Sequence, residues 1–155
     1  MIMRSFAAIC FLSFTVLCFG QSVDETIAYL NNKFESKNPT RKQIISVAHG
    51  SIKFTDISRG PDGSEFMSIH LFSPKNAQFV SFENHGDSMG TTIFTLTCKP
   101  QSVLVNVMGT ISNKSSFIIV LGQIEKTESN KIIKALQHLV SLLGGTLKTE
   151  LFSSD

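Results

Sequence analysis

The stretch QIISVAHGSIKFTDI, residues 43–57, decides how the chain is read. Two runs rich in β-branched and aromatic residues stand on either side of Gly50, a composition that suits the half-buried surface of a pleated sheet. The link between them is too short for a crossover helix, so the two strands must run antiparallel. Moving outward, the same grammar recurs. Arg59-Gly60-Pro61-Asp62-Gly63 is a strong turn, because proline presets one backbone angle and glycine accepts the left-handed one. A strand over 65–72 follows, with Met67, Ile69 and Leu71 on one face, and Ser73-Pro74-Lys75-Asn76 breaks it. Strands are predicted over 78–83 and 91–98, separated by a polar loop at 84–90. In the second of these, Phe94, Leu96 and Cys98 alternate with Thr91, Ile93, Thr95 and Thr97, which separates a buried face from an outer one. Lys99-Pro100-Gln101 turns the chain into strands over 103–108 and 117–121, with 109–116 between them. About seven strands with short links make an antiparallel meander.

Two helical periods flank the strands. Residues 22–37 open with Ser22-Val23-Asp24-Glu25, a capping box with serine at the cap and glutamate three residues on. Val23, Ile27, Leu30 and Phe34 then form one apolar stripe, and Asn38-Pro39 ends it. Residues 128–143 carry Ile132, Ile133, Leu136, Leu139, Val140 and Leu143 on one face. Lys131, Lys134, Gln137, His138 and Ser141 occupy the other. Thr127 or Ser129 can cap the start, and Gly144-Gly145 supplies a left-handed stop.

The order helix, about seven strands, helix defines an α+β domain. A strongly curved sheet capped by the terminal helix, a pleckstrin-homology-like barrel, is the first expectation. A flatter sheet with both helices on one face, as in helix-grip folds, is the alternative. Which of the two forms depends on whether the first and last strands pair.

The chain divides into two segments. In residues 1–20, Arg4 precedes an uncharged apolar run, and Cys18-Phe19-Gly20 places small residues at −3 and −1 of a cut before Gln21. Basic, apolar, small-x-small is the order of a secretory signal peptide. The apolar run is shorter than the roughly 20 residues of a membrane span, and Gln21-Ser22-Val23-Asp24-Glu25 follows at once. Cys10 and Cys18 follow Ile9 and Leu17, large residues that fit lipidation poorly. Residues 21–155 are then one domain, periplasmic or secreted. Cleavage removes Arg4, so the 14 basic residues become 13 against 12 acids, a net +1 with the charges interspersed. That leaves no electrostatic footprint for nucleic acid or an anionic membrane. Cys98 loses both potential disulfide partners and reads as a small buried apolar residue.

The two helices carry a resemblance. Residues 24–34 (DETIAYLNNKF) and 134–145 (KALQHLVSLLGG) resemble small exported proteins of bacteroidete bacteria that have no assigned activity. The resemblance implies a periplasmic or secreted location and supplies no function.

Candidate chemistry is sparse. Of His49, His70, His85 and His138, no two stand four apart on a helix and none pairs with cysteine at zinc-ligand spacing, so no metal or other cofactor is expected. The densest polar cluster is Glu83-Asn84-His85-Gly86-Asp87-Ser88. There His85 could act as a general base with Asp87 or Ser88, although members of such units usually come from distant segments. The Gly60-Pro61-Asp62-Gly63-Ser64 loop does not open a helix and is no phosphate cradle. Asn113-Lys114-Ser115 matches the glycosylation acceptor pattern of a eukaryotic secretory route. The leading expectation is an exported, non-enzymatic domain that binds a protein, a peptide or a small apolar molecule through a sheet edge or an open barrel end. The alternative is a small periplasmic hydrolase built on His85.

Overall fold

A computed structural model describes residues 21–37, 41–84 and 90–149. Among these residues the order is α1 (Val23–Lys37), β1 (Arg41–Ala48), β2 (Ser51–Arg59), β3 (Glu65–Phe72), a 3-10 turn (Pro74–Asn76) and β4 (Ala77–Asn84). Then come β5 (Thr91–Cys98), β6 (Val103–Val107), β7 (Thr110–Lys114), β8 (Ser116–Gly122), α2 (Lys126–Leu142) and β9 (Lys148–Thr149). The seven expected strands are present, and β7 and β9 are additions. Two sheets form, one of order β1-β2-β3-β6-β7 and one of order β8-β5-β4-β9. All pairs are antiparallel except β4 with β9.

Three short links carry the chain between the two sheets. Only Ser73 and the 3-10 turn separate β3 from β4, residues 99–102 separate β5 from β6, and Ser115 separates β7 from β8. β7 and β8 are thus nearly one strand that bends at Ser115 from one sheet into the other, a common way of turning a sheet corner, and the other two links are short turns. The links are stitched together: Lys99 N donates to Asn76 O at 2.8 Å, Cys98 N to Ser115 O at 2.7 Å, and Gln101 N to Ser115 Oγ at 3.2 Å.

The core fills the angle between the sheets. The five-stranded sheet contributes Ile45, Ile52, Phe54, Phe72, Val103 and Val105, and the four-stranded sheet Val80, Phe94, Leu96, Cys98, Phe117, Ile119 and Leu121. Phe117 sits at the corner, its ring 5.4 Å from Phe54 and 5.3 Å from Phe72. Each fully buried side chain of this size is worth about 1.5–3 kcal/mol relative to its exposed state. The helices complete the core with Leu30 and Phe34 from α1 and Ile132, Ile133, Leu136, Leu139 and Val140 from α2. Phe34 meets Phe54 edge to face at 6.2 Å.

Local sequence explains the start of α1 and the end of α2; the expected stop of α1 at Asn38-Pro39 lies outside the described residues. The capping box forms: Ser22 N donates to Glu25 Oε2 at 2.7 Å and Glu25 N to Ser22 Oγ at 3.2 Å. At the start of α2 the expectation needs correction. The helix begins two residues early with Glu125 at the cap position, and Ser129 is buried with its hydroxyl donating to Glu125 O at 3.2 Å. The expected stop at Gly144 holds (φ +78). Gly144 N donates to Ser141 O at 3.0 Å and Gly145 N to Val140 O at 2.9 Å, the paired bonds of a Schellman motif.

The expected barrel is not closed, and the flatter single sheet is not formed either. The first and last long strands, β1 and β8, belong to different sheets. Between them stands Gln43, a buried side chain of β1. With its amide oriented to satisfy both groups, Gln43 Nε2 donates to Val120 O at 2.9 Å and Oε1 accepts from Val120 N at 3.2 Å. A side chain thus occupies the position where a backbone ladder would close the barrel. α1 packs against both β1 and β8 along this seam.

Candidate functional site

A sheet edge presents unpaired N–H and C=O groups, and folded proteins usually cover or disrupt them. Two sheets give four edges here, and three are managed. On β1, Asn31 of α1 acts like a short strand: its Nδ2 donates to Ile45 O at 3.0 Å and its Oδ1 accepts from Ile45 N at 2.8 Å. On β8, Gln43 does the same at Val120. The fourth strand of the second sheet, β9, is two residues long, and Gln137 of α2 reaches it, donating to Leu147 O at 3.1 Å and Thr149 Oγ1 at 3.0 Å.

The remaining edge, β7, has no such cover among the described residues. All five of its residues, Thr110 to Lys114, are exposed. It follows β6 through the two-residue turn Met108-Gly109, whose φ values of +49 and +91 are those of a hairpin turn matched to sheet twist. Asn106 Oδ1 braces the turn by accepting from Gly109 N at 2.9 Å. The two-residue turn makes Val107 and Thr110 a hydrogen-bonded pair. Alternation along an antiparallel ladder then turns the N–H and C=O groups of Ile111 and Asn113 away from β6. Lys114 is the only charge on the strand.

An apolar face adjoins this edge. Met67, Ile69 and Leu71 share a face as the sequence suggests, but it is the outer face of the sheet; the inner face of β3 carries Ser68, His70 and Phe72. Leu104 and Ile111 extend the outer apolar stripe to β7, at 41 % and 65 % exposure.

The described histidines nominated from sequence, His49, His70 and His138, stand apart from one another. His85, Asp87 and Ser88 lie outside the described residues. His49 occupies the first position of the β1–β2 turn, exposed and left-handed at φ +50. His138 is on α2, its Nε2 3.1 Å from Gln21 O. Among the described histidines only His70 faces the interior, beside Ser68 (Oγ to Nε2, 3.2 Å), with its ring stacked on Phe117 at 5.3 Å. Burial holds its pKa below the ordinary histidine value, with Asp56 acting in the opposite direction. Its Nδ1 is buried without a hydrogen-bond partner. Asp56, the carboxylate on the same sheet face, is bound by both Arg41 Nε (2.7 Å) and Arg41 Nη2, which raises the Arg41 pKa. Serine, imidazole and carboxylate are therefore near one another but not linked in series, and the geometry is that of a structural polar layer. Among the described residues no group of three or more His, Cys, Asp or Glu could hold a metal ion. Cys98 is buried, and burial pushes its thiol up to about 11, so it is a weak nucleophile at neutral pH. Asp62 accepts from Ser64 N at 3.0 Å and Ser64 Oγ at 2.6 Å, which lowers its pKa and closes a turn.

Sequence reasoning passed over β7 because Thr110-Ile111-Ser112-Asn113-Lys114 has one apolar residue in five. The available signal was the glycine at the second position of a two-residue link after an apolar run. No helix among the described residues is long and apolar enough to cross a membrane. Comparison with protein-family models, with curated proteins and with solved structures finds no match for the chain.

Proposed function

We propose that this chain is an exported, non-enzymatic binding domain that takes an extended polypeptide strand onto β7. The observation that carries the reading is the contrast between edges: β1 and β8 each have a side-chain amide on their main chain and β9 is two residues long, while β7 has no such cover among the described residues and lies beside an apolar face. Strand addition suits such an edge, because main-chain bonds give affinity and alternate side chains give selectivity. The groups at Ile111 and Asn113 supply the main-chain contacts, and Ile111 with Leu104 favours an apolar residue at alternate positions of the incoming strand. The scaffold reading that accompanies this is pleckstrin-homology-like, supported by two antiparallel-rich sheets enclosing one core with a terminal helix packed on it. Export is supported by the basic, apolar and small-residue order of residues 1–20.

A random dodecapeptide library displayed on phage tests the reading, with selection on the immobilised domain. Asn113→Pro removes one outward N–H without touching the ladder to β6, and proline is tolerated on an edge strand. The expected result is enrichment of peptides with alternating apolar residues whose binding is lost on Asn113→Pro, while both proteins keep the same circular dichroism. Peptides that bind both proteins equally, or no enrichment, would overturn it.

A further inference from the structure

Resting on the reading of β7 as a binding edge, we infer that the strand it accepts is β7 of a second copy of this chain. The argument is self-complementarity. The outward backbone groups belong to Ile111 and Asn113, with Ser112 between them. Two copies related by a two-fold axis at Ser112 place Ile111 of each opposite Asn113 of the other. Both are then hydrogen-bonded pairs, and the junction gains four main-chain bonds. Ser112 faces Ser112, and Thr110 faces Lys114, so the strand's one charge meets no like charge. The sheet becomes ten-stranded, with each four-stranded sheet on the same side.

The side chains favour this occupant. A strand docked here must cover Ile111, which is 65 % exposed. In the two-fold arrangement the two Ile111 side chains are diagonal neighbours across the junction, and each is diagonal to its own Leu104. The apolar outer stripe Leu71, Leu104, Ile111 of one copy thus runs without a break into that of the other. The same chain that exposes the stripe carries the strand that continues it. Slipping the register until Asn113 faces Ser115 sets Lys114 against Lys114, which disfavours that alternative.

Sedimentation velocity of residues 21–155 across the micromolar range, together with cysteine cross-linking, tests the inference. The expected result is a concentration-dependent dimer that is lost in Ile111→Lys and in Asn113→Pro, with thermal midpoints unchanged. Register is tested by Ser112→Cys. Facing residues of a non-hydrogen-bonded pair have Cα atoms about 4.5 Å apart, within disulfide reach. Ser112→Cys should therefore oxidise to a covalent dimer and Thr110→Cys should not; buried Cys98 is a silent background. A wild-type monomer at every concentration, with no Ser112→Cys dimer, overturns the inference. If library peptides still bind β7 in that case, only the identity of the occupant has failed. If neither copy nor peptide binds, the reading of the edge fails with it.

Discussion

His70 shows what burial does to a titratable side chain without an ionic partner. Its ring packs on Phe117 and Phe54, and its Nδ1 finds no hydrogen bond. The neutral form is favoured in the folded protein, so the folded pKa lies below the unfolded one. The unfolded chain therefore takes up a proton first as pH falls. The resulting stability is fully present above the unfolded value of about 6.5 and is lost progressively as pH falls from there through the folded pKa. Urea midpoints of wild type and His70→Phe, compared from neutral to mildly acidic pH, isolate this contribution. Wild type should lose stability faster than the variant over that window; parallel curves would remove the effect. His70 was legible as a strand residue, since the alternation of 65–72 placed it opposite Met67, Ile69 and Leu71. Which face was inner was not legible, because the apolar trio lies outside and the histidine inside. Sheet sidedness is set by what packs above, and here that is Phe117, 47 positions away in the chain.

At the scale of elements, helix ends and helix docking carry the testable content. Gly145 closes the Schellman motif of α2 and lies against the 3-10 turn. A Cβ there would come within 2.2 Å of Pro74 O and 2.8 Å of Val140 Cγ1. Gly145→Ala should therefore destabilise the domain by about 1–3 kcal/mol, the usual cost of overpacking a fitted contact. Gly50→Ala meets no neighbour, and its cost is limited to the strain of φ +73. Thermal unfolding of the two variants separates clash from strain. The α1 capping box and the Gly144 stop were readable from sequence because they depend on residues three or four apart. Glu125 as the α2 cap was not: Thr127 and Ser129 are better cap residues by type, yet packing buries Ser129 and draws the helix start upstream.

At the scale of the molecule, the seam between β1 and β8 decides the architecture. Seven of the nine strands, their antiparallel pairing and both helices followed from local pattern. Closure could not, because it rests on one buried glutamine inside a strand, and no propensity marks Gln43 as a substitute for a backbone ladder. Gln43→Ala would leave the N–H and C=O of Val120 without their partner, a loss of about 2 kcal/mol. Gln43→Glu should be at least as damaging, since a carboxylate can accept from Val120 N but cannot donate to Val120 O. Denaturant unfolding of the two variants checks this; a Gln43→Glu variant as stable as wild type would show that the donor bond carries nothing.

The bend at Ser115 has a mechanical consequence. β7 and β8 are nearly one strand, so the segment that reaches outward at Ile111 continues, six residues on, as Phe117 in the centre of the core. A load applied to the outer half is transmitted along covalent bonds to the three aromatic rings packed around Phe117. Whatever grips this domain by its rim therefore also takes hold of its keystone.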